Sequence, residues 1–363
     1  MSVPATRPSG SARARLALVI SLAALMVAAA ACSGTAPSAE SPGAAVGGVG
    51  GSPAASASAT GSAATSVASP SAAASGAAPS AAELLPSATA LTLAWQKAAP
   101  TKADTATYWP AIDPATGDVW VASPWENDFW IFKPDGTFIE TWGTAGTGNG
   151  QFHLTTHDQT HPDADGAIAF APDGSFYVAD GGNDRIQQFD AHRHFVRAWG
   201  SFGNGNGQFT APKGIATDGK TVFVADDFRG DMQTFDAAGN WIATFPWPFV
   251  LFSLMPNGNL LVGGEQFDPS GKQITSHDLD YQALGGNSSM AVADKAGNVY
   301  MGIQNDAGAV GLVKLDPTGH VIARWTTGAE TLALSPDGKA IYMAYTGPPT
   351  GFGWPYLRKY TLP

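Results

Sequence analysis

The thirteen residues His153-Leu-Thr-Thr-His157-Asp-Gln-Thr-His161-Pro-Asp-Ala-Asp165 hold three of the chain's seven histidines together with Asp158, Asp163 and Asp165. Imidazole and carboxylate are the ligand types that zinc and other divalent ions take, with calcium drawn to the oxygens. The four-residue spacing of His153, His157 and His161 would bring three rings to one side if the segment made helical turns. No apolar helical pattern orders it, so a solvated polar loop is the competing reading. A second group is acidic: Glu126, Asp128, Asp180, Asp227 and Asp231. Arg185 and Arg229 lie among them, either as ligand donors or as partners for those acids. A third is aromatic and glycine-rich, Tyr345 to Tyr356, containing Phe352 and Trp354, with Trp125 in a corresponding earlier segment. Such rings suit an apolar or sugar-stacking surface, and equally they suit packing between sheets. Serine and cysteine nucleophile schemes have no footing, because no Gly-x-Ser-x-Gly element occurs and the one cysteine, Cys32, lies far from these groups.

The elements that must carry these groups are short strands. From about residue 89 the chain alternates apolar and polar residues between Asp-Gly, Asn-Gly and Pro-x-Gly turns, and it repeats itself. One unit runs Gly166-Ala-Ile-Ala-Phe170, Pro172-Asp-Gly174, Phe176-Tyr-Val-Ala-Asp180, Arg185-Ile-Gln-Gln-Phe-Asp190 and His194-Phe-Val-Arg-Ala-Trp-Gly200. The large second-strand residue recurs as Trp120, Tyr177, Phe223, Leu261, Tyr300 and Tyr342, at separations of 57, 46, 38, 39 and 42. A fixed offset of ten residues links Ala122, Ala179 and Ala225 to Phe132, Phe189 and Phe235. Six units of about 40 residues, each with four short strands, predict an all-β, six-bladed β-propeller of four-stranded antiparallel blades. The chain's end supplies only a third strand to the last blade. Leu91-Thr-Leu-Ala-Trp95 reads like the fourth strands Phe195–Trp199 and Val321–Trp325, so 90–96 is expected to close the ring from the N-terminus. Loops from strand two to three, and from strand four to the next strand one, then share one face with the candidate groups on it.

Val178-Ala-Asp-Gly-Gly-Asn-Asp-Arg-Ile186 with Phe189 and Asp190 resembles the pattern of the NHL-repeat family of six-bladed propellers, and the resemblance covers most of 103–363. Blades one and three depart from it with Asp128 and Asp231 in the place of Arg185. Blade four departs by running Gly263-Gly264 straight into Glu265. The amidating lyases, which are NHL-like, typically carry histidine where Pro212-Lys-Gly-Ile-Ala216 has Lys213, so a metal lyase on this chain would use the insertion histidines. The calcium ring of propeller lactonases has no counterpart in the small first-strand residues, among them Ala111, Ala167, Ala169, Ala216, Ser253 and Ala333.

The N-terminus has its own reading. Arg7, Arg13 and Arg15 precede an apolar run from Leu16 to Ala31 that leads into Cys32. This resembles a bacterial lipoprotein signal peptide, 1–31, with Cys32 as the lipidated mature N-terminus; an ordinary secretory signal is the alternative. Residues 33–88 are nearly all Ala, Ser, Gly, Pro and Thr, a composition that cannot form a core. The segment 32–88 therefore reads as a disordered tether with a reach of about 40 Å, and 89–363 as the propeller. Without its signal the chain has 16 Lys and Arg against 30 Asp and Glu, a net charge near −14. That balance argues against nucleic acid as a partner. The expected protein is a monomeric propeller exported to the periplasm or cell exterior and held at the membrane only by its lipid. It would bind protein, peptide or glycan on the loop face. A metal-dependent lyase or hydrolase built from His153, His157, Asp158 and His161 is the rival, and a scaffold without a small-molecule site the third.

Changing His157 and His161 together to Ala is expected to leave the melting temperature of metal-free protein unchanged, because the insertion lies outside the repeated strands. The same change would remove any stoichiometric zinc that elemental analysis finds. Unfolding of that double variant would overturn the placement of the loop.

Overall fold

The structure is a computed structural model that describes residues 85–98, 109–155, 167–275, 279–328, 330–345 and 356–363. Strand β1 (Thr92–Ala98) comes first. Blade one follows as β2 (Pro110–Ile112), β3 (Val119–Ser123), β4 (Asp128–Phe132) and β5 (Phe138–Trp142), and its outgoing linker contains the short pair β6 (Thr144–Ala145) and β7 (Gln151–Phe152). Blade two is β8 (Ile168–Phe170), β9 (Phe176–Asp180), β10 (Arg185–Phe189) and β11 (Phe195–Trp199). Blade three is β12 (Pro212–Thr217), β13 (Thr221–Asp226), β14 (Asp231–Asp236) and β15 (Trp241–Pro246). Blade four has β16 (Ser253–Leu254), β17 (Leu260–Val262) and β18 (Glu265–Phe267), followed by the single turn of helix α1 (Tyr281–Leu284). Blade five is β19 (Asn287–Ala293), β20 (Val299–Asn305), β21 (Gly308–Leu315) and β22 (Val321–Trp325), and blade six is β23 (Thr331–Leu334), β24 (Ala340–Tyr345) and β25 (Tyr356–Thr361).

The protein is a nearly all-β, six-bladed propeller of antiparallel blades. Strand β1 pairs with β25 from Thr92↔Thr361 to Ala98↔Tyr356 and is the outer strand of the last blade. Blade four is the short one: an isolated bridge, Phe267↔Gln273, stands where a regular fourth strand would run. Since successive strands reverse direction, the strand-two-to-three loops and the four-to-one linkers share one side, the loop face. The tight one-to-two and three-to-four turns share the other, the turn face.

Each second strand is buried on both sides, and its residues alternate between two neighbours. In β9, Phe176 and Val178 pack with Trp120 and Ala122 of blade one, while Tyr177 and Ala179 pack with Val222 and Val224 of blade three. The same alternation gives Phe223 with Leu260, Leu261 with Met301, and Tyr300 with Met343. Tyr342 and Ala344 pack with Val119 and Val121, which joins blade six to blade one. Each fully buried aromatic or branched side chain contributes on the order of 1.5–3 kcal/mol, so the core is spread evenly around the ring.

Outer-strand aromatics tie blades two, three and six to the turn of the next blade. The ring of Trp199 lies so close over Gly239 that a Cβ there would fall 2.7 Å from Cε3, and Trp95 stands over Gly136 in the same way. Blade two's own turn has Arg193 in the glycine place at φ +68°. Its guanidinium lies 5.6 Å from the Trp120 ring centroid and 2.6 Å from Glu140 Oε1, contacts that offset the left-handed strain.

The turn face is capped by carboxylates. Asp190, Asp236, Asp268 and Asp316 each accept backbone N–H bonds from the residues two and four positions on. These bonds, together with those from the side chains of His194, Asn240, Ser270 and Thr318, hold all four carboxyls below the ordinary carboxylate value. A folded pKa below the unfolded one means stability that is present above the unfolded value and lost as pH falls through the folded one. Urea unfolding should therefore show falling stability below about pH 4. The fall should be smaller in a variant with all four changed to Asn, which keeps the accepting oxygen without the proton uptake.

Candidate functional site on the loop face

The loops of blades two and three are fixed by matching polar frameworks. Asp180, fully buried at the end of β9, accepts from His153 N at 2.7 Å, Arg185 Nε at 2.7 Å, and the side-chain amides of Asn183 and Gln187 at 3.0 Å. Arg185 Nη2 donates to the carbonyls of Gly148 and Gln151 in the incoming linker, at 2.8 and 3.0 Å. Gln187 donates to the same Gln151 carbonyl at 2.7 Å and accepts from Gly150 N at 2.9 Å. In blade three Asp226 accepts from Thr210 N, Thr210 Oγ1 and Ala211 N at 2.7, 2.8 and 3.1 Å. Gln233 repeats Gln187, bonding Gln208 O at 2.6 Å and Gly207 N at 2.8 Å.

The arginine of blade three reaches the same place from a different position. Arg229 stands two residues before Asp231, which occupies the register position of Arg185. Asp231 Oδ2 takes Arg229 Nε and Nη2 at 3.0 and 2.7 Å, and Nη1 donates to Gly205 O and Gln208 O at 3.0 and 2.7 Å. Both arginines, candidate ligand donors in the sequence, thus direct their donors to the linker backbone and to a carboxylate. Charge-assisted bonds of this kind set loop geometry and tolerate no shift of register.

Blade one has neither arginine nor buried aspartate. Ser123 stands where Asp180 does, its hydroxyl donating to Glu126 Oε2 at 3.4 Å, and Asp128 stands in the Arg185 place. Asn127, at φ +60°, accepts Leu154 N through Oδ1 at 2.8 Å and so performs the linker-holding task alone. Burial, and next the charge of Glu126, push the Asp128 carboxyl up to about 7 against a single lowering bond from Ser123.

These loops present their side chains in register. Trp125, Gly182 and Phe228 each follow the end of the second strand by two residues. Trp125 is 41% exposed and Phe228 53% exposed. Between them, Gly182 N donates to His153 O at 2.8 Å, and a Cβ on Gly182 would fall 2.6 Å from His153 Cγ. The imidazole therefore lies where blade two's own side chain would project, and the face carries an arc of indole, imidazole and phenyl groups across three blades. Phe202, 70% exposed, sits next to Gly203, whose carbonyl takes Arg229 Nη1 at 3.4 Å, so it borders the Phe228 loop. At the inner edge, the nearly buried Lys213 places Nζ 3.3 Å from Asp227 Oδ2.

Of the sequence candidates, Trp125, His153, Arg185 and Arg229 are thus placed on this face. Cys32, His157, Asp158, His161, Phe352 and Trp354 lie outside the described residues. Among the described residues no three His, Cys, Asp or Glu side chains stand close enough to hold a metal. Phe228 and Phe202 were not among the candidates. The Ala122, Ala179, Ala225 register places Phe228 level with Trp125, so the signal for it was present.

The raised pKa of Asp128 has a definite sign. Where the folded pKa exceeds the unfolded one, stability falls as pH rises from about 4 to about 7 and stays lower above that. Asp128→Asn should leave stability near wild type at pH 4. At pH 8 it should raise stability by on the order of 1 kcal/mol after solvent screening, read by urea unfolding. Equal effects at both pH values would refute the assignment.

No protein-family model matches the chain, and no curated protein matches it. Solved structures similar to it include a virginiamycin B lyase from Staphylococcus aureus, 14% identical over 74% of this chain and 99% of that one, with a TM-score of 0.48. A putative gluconolactonase is 15% identical over 78% of this chain and 96% of its own, TM-score 0.48. A chain of a mitotic checkpoint complex is 14% identical over 82% and 99%, TM-score 0.49.

Proposed function

We propose that this chain is an exported, lipid-anchored propeller that binds an extended partner (a protein segment, a peptide or a glycan) on its loop face across blades one to three. The observation that carries this reading is the arc of Trp125, His153 against Gly182, and Phe228, borne on loops whose backbones are fixed by Asp180, Arg185, Asp226 and Arg229. Rings on pre-ordered loops lose little conformational freedom on binding, and aromatic side chains dominate the energetics of most interfaces. Contiguous exposed apolar groups with a polar fringe mark such surfaces. Cys32 and the 32–88 tether would keep the face within reach of an envelope partner. The acidic balance favours a neutral or cationic partner over a polyanion.

A metal-dependent lyase or hydrolase is the second reading, and one observation favours it. Asp180 fixes the backbone of His153, so the first residue of the histidine insertion enters this face with an exposed ring.

Glycan and peptide arrays probed with wild type and with the Trp125→Ala, Phe228→Ala double variant test the leading reading. Wild type is expected to retain a ligand that the double variant loses by about tenfold or more, with unchanged melting temperature. A ligand held equally by both proteins would move the binding surface elsewhere.

A further inference from the structure

Two peculiarities of blade four meet at one place on its side facing blade five. Among the described residues its outer edge is an irregular run, with the Phe267↔Gln273 bridge and Ile274 N bonded to Gln266 O at 2.8 Å, and its second-strand residue is Leu261 where the other blades carry Trp120, Tyr177, Phe223, Tyr300 and Tyr342. In blade two the Tyr177 hydroxyl accepts from Gln188 Nε2 at 3.1 Å, Arg197 of the outer strand pairs with Gln188, and the Trp199 ring stands 5.9 Å from that of Tyr177. Gln266 holds the Gln188 place in blade four, opposite Leu261 in register. It therefore faces methyl groups in place of a phenol, and on its outer side its backbone is held by Ile274 N at 2.8 Å and by Thr275 Oγ1 at 3.0 Å. Gln266 is only 8% exposed. Its amide oxygen takes Asn259 Nδ2 at 3.4 Å, and its amide nitrogen has no hydrogen-bond partner among the described residues. An acceptor on a ligand in the cavity that Gln266 lines would take this N–H, a hydrogen bond that the described residues do not supply.

A cavity of about 280 Å³ opens there on the turn face. Met255, Pro256 and Pro317 form apolar walls, while Gln266, Asn257 and the exposed Lys295 supply the polar groups. We propose that this cavity binds a one-ring phenolic acid. The ring lies between Met255, Pro256 and Pro317. Its hydroxyl oxygen accepts from Gln266 Nε2 as the Tyr177 oxygen accepts from Gln188, and its carboxylate lies at Lys295. The volume falls just below the roughly 300–1,000 Å³ of drug-sized sites, which limits the occupant to a single ring.

The experiment titrates 4-hydroxybenzoate, and benzoate beside it, into the full chain by isothermal calorimetry and ligand-observed NMR. Saturable binding of 4-hydroxybenzoate with a Kd on the order of 1 mM is expected, as befits a fragment of this size. Benzoate should bind about fivefold more weakly to wild type and no more weakly than 4-hydroxybenzoate to Gln266→Ala. Lys295→Ala should weaken both acids, and Leu261→Tyr, which rebuilds blade two's arrangement, should abolish binding and raise the melting temperature. Absence of saturable binding at tenfold higher concentration overturns the proposal, as does binding that neither Gln266→Ala nor Lys295→Ala alters. The latter pair decides the matter if Leu261→Tyr does not fold. Trp125→Ala with Phe228→Ala should leave this binding unchanged, so the site stands or falls apart from the loop face.

Discussion

Burial of every second strand on both faces is the constraint from which the rest of this structure follows. A strand such as β9 has no solvent side, so Phe176 and Tyr177 must satisfy different neighbours although they are adjacent in sequence. That requirement fixes register, because a slip by one residue would exchange the two sets and put each against the wrong blade. Fixed register in turn sets where each strand ends. Ser123, Asp180 and Asp226 emerge at the same level of the loop face for this reason, and the loops that follow inherit a common starting point.

From that starting point the loops diverge by electrostatics. In blade two the buried Asp180 is tolerable because Arg185 and amide donors surround it, and in blade three Asp226 is held by backbone N–H groups and the Thr210 hydroxyl; an uncompensated charge at that depth would be costly. The Asp180 and Arg185 pair and the Arg229 and Asp231 pair reach one arrangement of linker carbonyls through opposite placements of charge along the strand. Blade one has no cation to balance Asp128, and its proton affinity rises accordingly. The two braced loops and the unbraced one are thus chemically different surfaces on one repeated frame, and function on a propeller lies in such differences.

The blades were legible in the sequence because strand alternation and turn chemistry are local and recur, and the ten-residue offset from Ala179 to Phe189 is simply a hairpin repeated at fixed length. The place of residues 90–96 was legible for the same reason, since Trp95 matches Trp199 and both stand over a turn glycine. Asp231 in the Arg185 position looked like a loss of the family pattern, and it proves to be a relocation of the arginine by two residues. Single-position comparison cannot detect a guanidinium that reaches the same carbonyls along another path. Phe228 is not legible from residue type alone, because only the register from the end of its second strand sets it level with Trp125. His153 was singled out as a metal ligand, and its packing on Gly182 depends on a close approach that no spacing rule contains.

Blade four shows how the same frame can open a site by subtraction. A repeat that packs aromatics at every junction has no spare volume while every unit is complete. Blade four has Leu261 in place of a second-strand ring and an irregular run in place of a regular outer strand, and a cavity lined by Met255, Gln266 and Pro317 opens beside them. Gln266, which holds the place of Gln188, lines that cavity. The ligand preference proposed for this cavity follows from Gln266, whose counterpart Gln188 bonds a phenolic oxygen in the intact blade two.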